Sequence, residues 1–521
     1  MNPEQQADIH GLQPADFMTI IAYLAAVVAL GAWFSRKTED TDAYLMGGRT
    51  MPWWLIGVSY IASLISTVSM VGAPGEAYKS GITGSLWPIF GVVFSIGFFF
   101  LFVRFYFQTR TFTPFEYLER RFGIASRGWA AGIYCVARGL YLATVLFAAA
   151  KVFQGTSDWP VPWTILLVGS VGVLYTTMGG FRAVVWTDFL QFIVLAGGVG
   201  LVAFQAVRVT PGGLLDAFRY AAEQDHLLPE LADGTFFSLS PYVRLTLWVI
   251  LLRAVADHLF YKSADQILVQ RMLATKGYWE AFRSVVFGSI IAPAIVLLLY
   301  VVGLCLFRYY AQFPPEERPP ADLAMFRFIT SQFPAPVPGL FVAAMLAAIM
   351  STLDSGINSL ATVVTKDFYL RFWRPDSTET EQVRFSRWMT IAAGLLVIGA
   401  ALGIAWSAET VGGTVMESSG VWQSLVVVLA PVFLLGVATR RAGQLQAMVA
   451  MLVGLVVTAA LIAWYYLARS RGVEAGFHVA AVGGFLVTLA VGFGLCLFAR
   501  PRPKGEPENL TLWTLRPPKN G

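Results

Sequence analysis

The chain of 521 residues has little charge, few cysteines and few histidines. Only 13% of its residues are charged and 56% are hydrophobic, whereas soluble domains carry about a quarter charged residues. This composition excludes an ordinary soluble globule. Its three cysteines lie in three different apolar segments, which excludes a disulfide framework or a cysteine metal site by spacing. The four histidines are scattered, and no nucleophile, metal or phosphate-binding pattern is present, so an enzyme is not expected.

Long apolar segments are what the chain does have. A membrane-spanning helix needs about 20 mainly apolar residues, which predicts an all-α, multi-pass membrane protein of thirteen helices, with no cleavable signal peptide. The predicted spans are 15–34, 52–78, 83–107, 129–155, 163–180, 187–207, 243–261, 283–307, 339–365, 388–407, 419–438, 445–468 and 478–499. Most of the 37 Lys and Arg residues fall on one set of loops, which predicts an external N-terminus and a cytoplasmic C-terminus. The net charge of +5 then reflects topology, and no nucleic-acid partner is expected.

The segment 341–369 carries a row of small polar residues along one face of an apolar helix. The row consists of Ala348, Ser351, Thr352, Ser355, Asn358, Ser359 and Thr362, with Asp354 at its edge. Inside a helix bundle these oxygens could bind a hard cation such as sodium, whereas the alternative is that Ser and Thr join helices. Asp354 favours the cation, because a carboxylate at mid-membrane depth needs a partner.

Two further segments predict a solute site. Residues 51–79 hold Ser, Thr, Gly and Pro across an apolar stretch, which is typical of an interrupted transporter helix. Residues 245–270 carry Arg253, Asp257 and His258 and lie about five helices later, as an inverted repeat requires. Arg253 and Asp257 could form an i,i+4 salt bridge or act directly on a solute.

Four motifs resemble the sodium:solute symporter family. They are TPFEYLERRF at 113–122, GGFRAVVWTDFLQ at 179–191, SADQILVQR at 263–271 and AAIMSTLDSGINSLATVVTKDFY at 347–369. The resemblance implies a LeuT-type five-plus-five inverted repeat. The expected parts are an N-terminal helix and loop (1–51), the first repeat (52–207), an external loop (208–242), the second repeat (243–438, with an external loop at 308–338), two C-terminal helices (439–499) and a cytoplasmic tail (500–521).

The resemblance also implies the ion sites, with Na⁺ as the coupling ion and no other cofactor. The main sodium site would use the carbonyls of Ala62, Ile65 and Ala348 and the hydroxyls of Ser351 and Thr352. A possible second site would use Asp188, Ser351, Asp354 and Ser355, with Gln191 orienting Asp188. Family members with a second site carry a hydroxyl where this chain has Asp354, which either strengthens that site or pairs with Arg138 or Arg253.

For the solute, the stretch VGAPGEAYKSG at 71–81 resembles the branch containing the sodium/iodide, monocarboxylate and multivitamin symporters. The residues expected to contact it are Ser66, Thr67, Ser69, Arg138, Trp248, Trp422 and Gln423. Arg138 would hold an anionic group, unless it pairs with Asp354 or Asp257.

These observations predict a sodium-coupled symporter that imports a small organic anion, such as a monocarboxylate, by alternating access. The alternatives are a neutral solute or a passive channel. The partners expected are sodium, the solute and the lipid bilayer, for a monomer in the cell membrane, the inner membrane if the source is bacterial.

Overall fold

The computed structural model describes residues 12–35, 41–157, 159–407, 415–473, 475–476, 478–499 and 510–513. Its α-helices are α1 Pro14–Ser35, α2 Thr41–Met46, α3 Trp53–Leu64, α4 Thr67–Ser80, α5 Leu86–Thr109, α6 Pro114–Phe122, α7 Ile124–Ser157, α8 Val161–Val209, α9 Gly213–Glu223, α10 Pro229–Ala232, α11 Leu247–Ser263, α12 Gln266–Leu273, α13 Tyr278–Tyr310, α14 Ala321–Gln332, α15 Val337–Val363, α16 Glu379–Ser407, α17 Val415–Val427, α18 Ala430–Ala438, α19 Gln444–Ser470 and α20 Val479–Leu497. The all-α class predicted from the sequence is confirmed.

The number of membrane spans differs in detail from the thirteen predicted. Among the described residues, ten helices are long and apolar enough to cross a membrane, or eleven if the bent pair α3 and α4 is one span. The predicted spans 163–180 and 187–207 form the single segment α8, which Gly180 bends with non-helical torsion angles (φ 59°, ψ −160°). The predicted span 243–261 corresponds to α11, a helix of only 17 residues that ends at Ser263. The count of thirteen and the orientation of the termini therefore stay predictions.

The first interrupted helix is where the sequence predicts it. Helix α3 ends at Leu64 and α4 begins at Thr67, with a bend of 54° between them. Ile65 and Ser66 have extended backbone angles, so the last carbonyls of α3 lose their helical partners. The interruption therefore exposes backbone oxygens in the interior of the bundle.

The second interruption of a helix lies between α11 and α12. Ala264 and Asp265 separate the two, and the Asp265 side chain caps α12 by accepting a hydrogen bond of 3.2 Å from the Ile267 amide. Asp265 is fixed there by long-range contacts as well, because Arg138 on α7 forms an ion pair of 2.8 Å with it. The break therefore has a carboxylate at its centre. The boundaries of the two repeats stay predictions.

Helix α15 lies at the centre of the bundle. In its most apolar 18-residue stretch 94% of the residues are buried, compared with 22% for α1, and the helix packs against α1, α3, α7, α8 and α16. The polar face predicted for this helix therefore contacts protein and not lipid. Large apolar side chains such as Trp33, Phe204 and Leu396 are exposed on the outer helices, as lipid contact requires.

An ion-pair cluster joins the short helix α6 and the start of α7 to the helical segment Val364–Trp373 that follows α15, at the side predicted to be cytoplasmic. Arg127 forms ion pairs of 2.6 Å with both Glu119 and Asp367, and Arg371 forms one of 2.6 Å with Glu119. Burial alone would raise the pKa of Glu119, but hydrogen bonds from Arg371 and Arg127 hold that pKa below its usual value. Glu119 is therefore a carboxylate that its two arginine neighbours stabilise in the ionised form.

Candidate ion and solute site

Four of the five predicted ligands of the main sodium site contact one another. The Ser351 hydroxyl lies 3.0 Å from the Ala62 carbonyl oxygen and 3.2 Å from that of Ala348. The Thr352 hydroxyl donates to the Ala348 carbonyl at 3.0 Å. The fifth residue, Ile65, is buried at the end of α3. This set of neutral oxygens from two helices fits a hard monovalent cation, and the Ala62 carbonyl belongs to the last turn of α3, where helical partners are lacking.

Asp188 lies in a second polar cluster, where Arg271 is its main partner. The Arg271 guanidinium lies 2.8 Å from Asp188 Oδ2 and 2.5 Å from the Ser355 hydroxyl. Ser59 donates to the same Asp188 oxygen at 2.5 Å. The guanidinium thus supplies, in this conformation, the positive charge that the sequence analysis assigned to a second sodium ion. Within the described part of the chain, Gln191 makes no hydrogen bond to Asp188, and its amide donates to the Tyr175 hydroxyl at 3.5 Å.

Asp354 has hydroxyl and amide partners. Tyr175 on α8 donates to Asp354 Oδ2 at 2.7 Å, and the Ser355 amide donates to Oδ1 at 2.5 Å. The two arginines considered as its partners pair elsewhere, Arg138 with Asp265 at 2.8 Å and Arg253 with Asp257 at 2.6 Å. The interpretation in which Arg138 or Arg253 neutralises Asp354 is therefore wrong for this conformation. The pairing of Arg138 with Asp354 or Asp257 is wrong for the same reason.

A cavity of about 170 Å³ adjoins the break between α3 and α4. Of the predicted solute contacts, Ser66, Ser69 and Gln423 line it. Arg138, Trp248 and Trp422 are not among its lining residues, and the side chain of Thr67 lies outside the described part of the chain. Trp248 is 44% exposed and its indole donates to the Phe237 carbonyl at 3.2 Å, so the structure does not bring this ring to the cavity.

Helix α11 forms part of the cavity wall. Arg253, Asp257 and His258 all line it, so the predicted i,i+4 salt bridge exists and faces the space where a solute would lie. Sequence reasoning missed the aromatic part of the wall, which includes Trp87 and Tyr261. It also missed the pairing of Arg271 with Asp188, because the two residues are 83 positions apart in the sequence.

In the described part of the chain, a helical bundle with two interrupted helices beside an internal cavity is the architecture of ion-coupled secondary transporters. The chain belongs to the sodium:solute symporter family, whose family model matches residues 44–454.

Relatives of this family match almost the whole chain. The sodium/sialic acid symporter NanT of Aliivibrio fischeri is 27% identical over 92% of both chains. The human sodium-coupled monocarboxylate transporter 1 is 27% identical over 85% of this chain and 72% of its own. The solved structure of a Na⁺-coupled sialic acid symporter superposes with a TM-score of 0.81 at 23% identity, covering 94% of this chain and 99% of that chain, which confirms the LeuT-type fold. The protein is therefore a multi-pass membrane protein with sodium as its coupling ion.

Proposed function

We propose that the protein imports a small organic solute with a carboxylate group, driven by sodium entry and operating by alternating access across the cell membrane. The observation that carries the proposal is the cavity, which lies beside the interrupted helix and contains the buried guanidinium of Arg253. The end of α3 contributes both to the cavity lining, through Leu64 and Ile65, and to the proposed main sodium site, through the Ala62 carbonyl. A movement of this helix end would therefore affect both sites. We propose further that the protein acts as a monomer and, in a bacterium, in the inner membrane.

For the ions, the main site is proposed to use Ala62, Ile65, Ala348, Ser351 and Thr352. Separating α3 from α15 would pull the Ala62 carbonyl away from Ser351 and release the ion, which couples ion binding to helix movement. A second sodium at Asp188, Ser351, Asp354 and Ser355 would share Asp188 with Arg271, which contacts Oδ2 and leaves Oδ1 without a hydrogen-bond partner among the described residues.

An anionic solute is supported by two buried arginines near the cavity. Arg253 is 4% exposed, and its Nη1 has no hydrogen-bond partner among the described residues. Arg138 lies one helical turn from Tyr141, which lines the cavity, and its Nη2 approaches Asp265 without the geometry of a hydrogen bond. Arginine is suited to carboxylates, because its planar group can donate two parallel hydrogen bonds. The names of the relatives agree, because sialic acid and monocarboxylates are both carboxylates.

A neutral polar solute is the second candidate, and one observation favours it. The acidic residues that line the cavity already have cationic partners, Asp257 with Arg253 and Glu76 with Arg244. These pairs make the lining close to neutral, which lowers the attraction for a free anion.

Uptake by reconstituted protein separates the two candidates. Proteoliposomes with an inward sodium gradient would be offered pairs of matched solutes, a carboxylate and its amide, for example lactate and lactamide. We expect sodium-dependent accumulation of carboxylates above equilibrium. Accumulation of the amides alone would favour the neutral solute, and uptake that only equilibrates would favour a channel.

The Arg138→Lys variant tests the assignment of Arg138. Lysine keeps the charge and loses the planar pair of donors, so we expect a weaker apparent affinity for the solute and an unchanged sodium dependence. Loss of the protein from the membrane would show instead that Arg138 and Asp265 form a structural ion pair. Arg253→Lys, measured in parallel, shows which arginine holds the carboxylate.

A further inference from the structure

The salt bridge on α11 leaves one donor and one acceptor unused at the cavity wall. Arg253 and Asp257 join through Nε and Oδ2 at 2.6 Å. Arg253 Nη1 and Asp257 Oδ1 are buried, and neither has a hydrogen-bond partner among the described residues. Both residues line the cavity and are at most 4% exposed.

Two neighbouring groups extend this wall. His258 lines the cavity beside Asp257, and its Nδ1 is buried without a partner in the described chain. The indole NH of Trp87 approaches Asp257 but makes no hydrogen bond of normal geometry. Buried polar groups are nearly always paired, so a set of unused donors and acceptors at a cavity wall is suited to a ligand with complementary groups.

The chemistry of the pair limits which solutes fit. A carboxylate can accept from Arg253 Nη1, but the adjacent Asp257 oxygen would repel a second anionic oxygen. The Asp257 oxygen needs a donor, and in a solute held by its carboxylate the nearest position for one is the adjacent carbon. We propose that Arg253 and Asp257 form a subsite for solutes that carry a carboxylate and, on the adjacent carbon, a hydroxyl or ammonium group. This proposal rests on the proposed function and narrows its substrate class.

The subsite acts as a specificity determinant. A simple carboxylate would bury Asp257 Oδ1 without a partner, and a site built to accept a hydrogen bond discriminates strongly against an analogue that lacks the donor. The salt bridge thus keeps the cavity wall neutral when no solute is bound. When a solute binds, the Asp257 oxygen selects for one that carries a hydrogen-bond donor.

Three solutes with the same carbon skeleton test the subsite in the wild-type protein. Propionate lacks a donor, lactate has a hydroxyl and alanine has an ammonium group. Sodium-driven uptake into proteoliposomes is measured for each. We expect lactate or alanine to reach half-maximal uptake at a concentration at least tenfold below that of propionate. Equal uptake of all three, or preference for propionate, would overturn the subsite while leaving a sodium-driven carboxylate symporter intact.

Absence of uptake for all three would also overturn the subsite, and the carboxylate and amide pairs described above then decide separately whether the proposed function holds.

The Asp257→Asn variant shows whether the solute donates from a hydroxyl or from an ammonium group, because asparagine keeps an oxygen acceptor and loses the charge. We expect at least tenfold weaker uptake of alanine and less than threefold weaker uptake of lactate. Unchanged uptake of both solutes would contradict a role for Asp257.

The control is Glu223→Gln, which removes the acid of an exposed i,i+4 pair with Arg219 on α9. We expect this variant to behave as the wild type does. If Asp257→Asn does not reach the membrane, the comparison of the three solutes in the wild-type protein still decides.

Discussion

Removing the Ser351 hydroxyl is the sharpest perturbation of the main sodium site. In Ser351→Ala the Ala62 carbonyl stays in place and loses its partner at 3.0 Å. The proposed site then falls from five oxygens to four.

The expected magnitude follows from what the hydroxyl does. Loss of one ligand that raises the half-maximal sodium concentration tenfold corresponds to about 1.4 kcal/mol. The hydrogen bond between α15 and α3 contributes about 1 kcal/mol to stability on its own, so the variant should still fold. We expect at least a tenfold rise for Ser351→Ala and for Thr352→Ala.

The assay is solute uptake into proteoliposomes over a range of external sodium concentrations. Thr352→Ser is the matched control, because it keeps the oxygen and removes only a methyl group, and its sodium dependence should change less than threefold. Thr458→Ala controls for helix effects, since among the described residues that hydroxyl donates to the Gly454 carbonyl of its own helix, α19. An unchanged sodium dependence in both Ser351→Ala and Thr352→Ala would refute the assignment.

Three further predictions concern the acidic residues and the bend in α8. If sodium neutralises Asp354, Asp354→Asn should lower the charge moved per solute by about one. At a membrane potential of 100 mV this charge contributes about 2.3 kcal/mol to the driving force. An unchanged charge-to-flux ratio in a stable variant would show that Asp354 binds no coupling ion. Gly180→Ala should destabilise the protein by about 1 to 3 kcal/mol in thermal unfolding, because its φ is +59° and an added Cβ would lie 2.6 Å from the Tyr44 carbonyl oxygen; Gly197→Ala, a helical position with open space, is the control and should not destabilise. The pKa of Glu119 is held below its usual value, so the stability that this carboxylate contributes is fully present above the ordinary glutamate pKa of about 4.3 and is lost as the pH falls through the lower folded-state value. The melting temperatures of the wild type and Glu119→Gln should therefore converge in acid. A constant difference between them would contradict this.

Local patterns in the sequence were enough to predict several parts of the site. The break at Ile65 and Ser66 follows from polar and small residues in an apolar segment, and the buried face of α15 follows from helical spacing. The pair of Arg253 and Asp257 is four residues apart and was predicted for that reason.

The errors involve partners that are far apart in sequence. Arg138 pairs with Asp265, more than a hundred residues away, because the α11–α12 break brings that carboxylate against α7. Asp354 meets Tyr175, whose position on α8 depends on how the helices pack. Trp248 is not among the residues that line the cavity, and its indole NH donates to the carbonyl of the loop residue Phe237. Spacing along one chain carries no information about these contacts.

Solute-dependent sodium uptake measures the coupling between the ion and the solute itself. Proteoliposomes containing the protein would receive radioactive sodium with and without a transported carboxylate, at a clamped membrane potential. We expect the solute to stimulate sodium entry in a fixed ratio to its own uptake, and we expect Ser351→Ala to abolish the stimulation at low sodium. Solute accumulation without any accompanying sodium flux would contradict it.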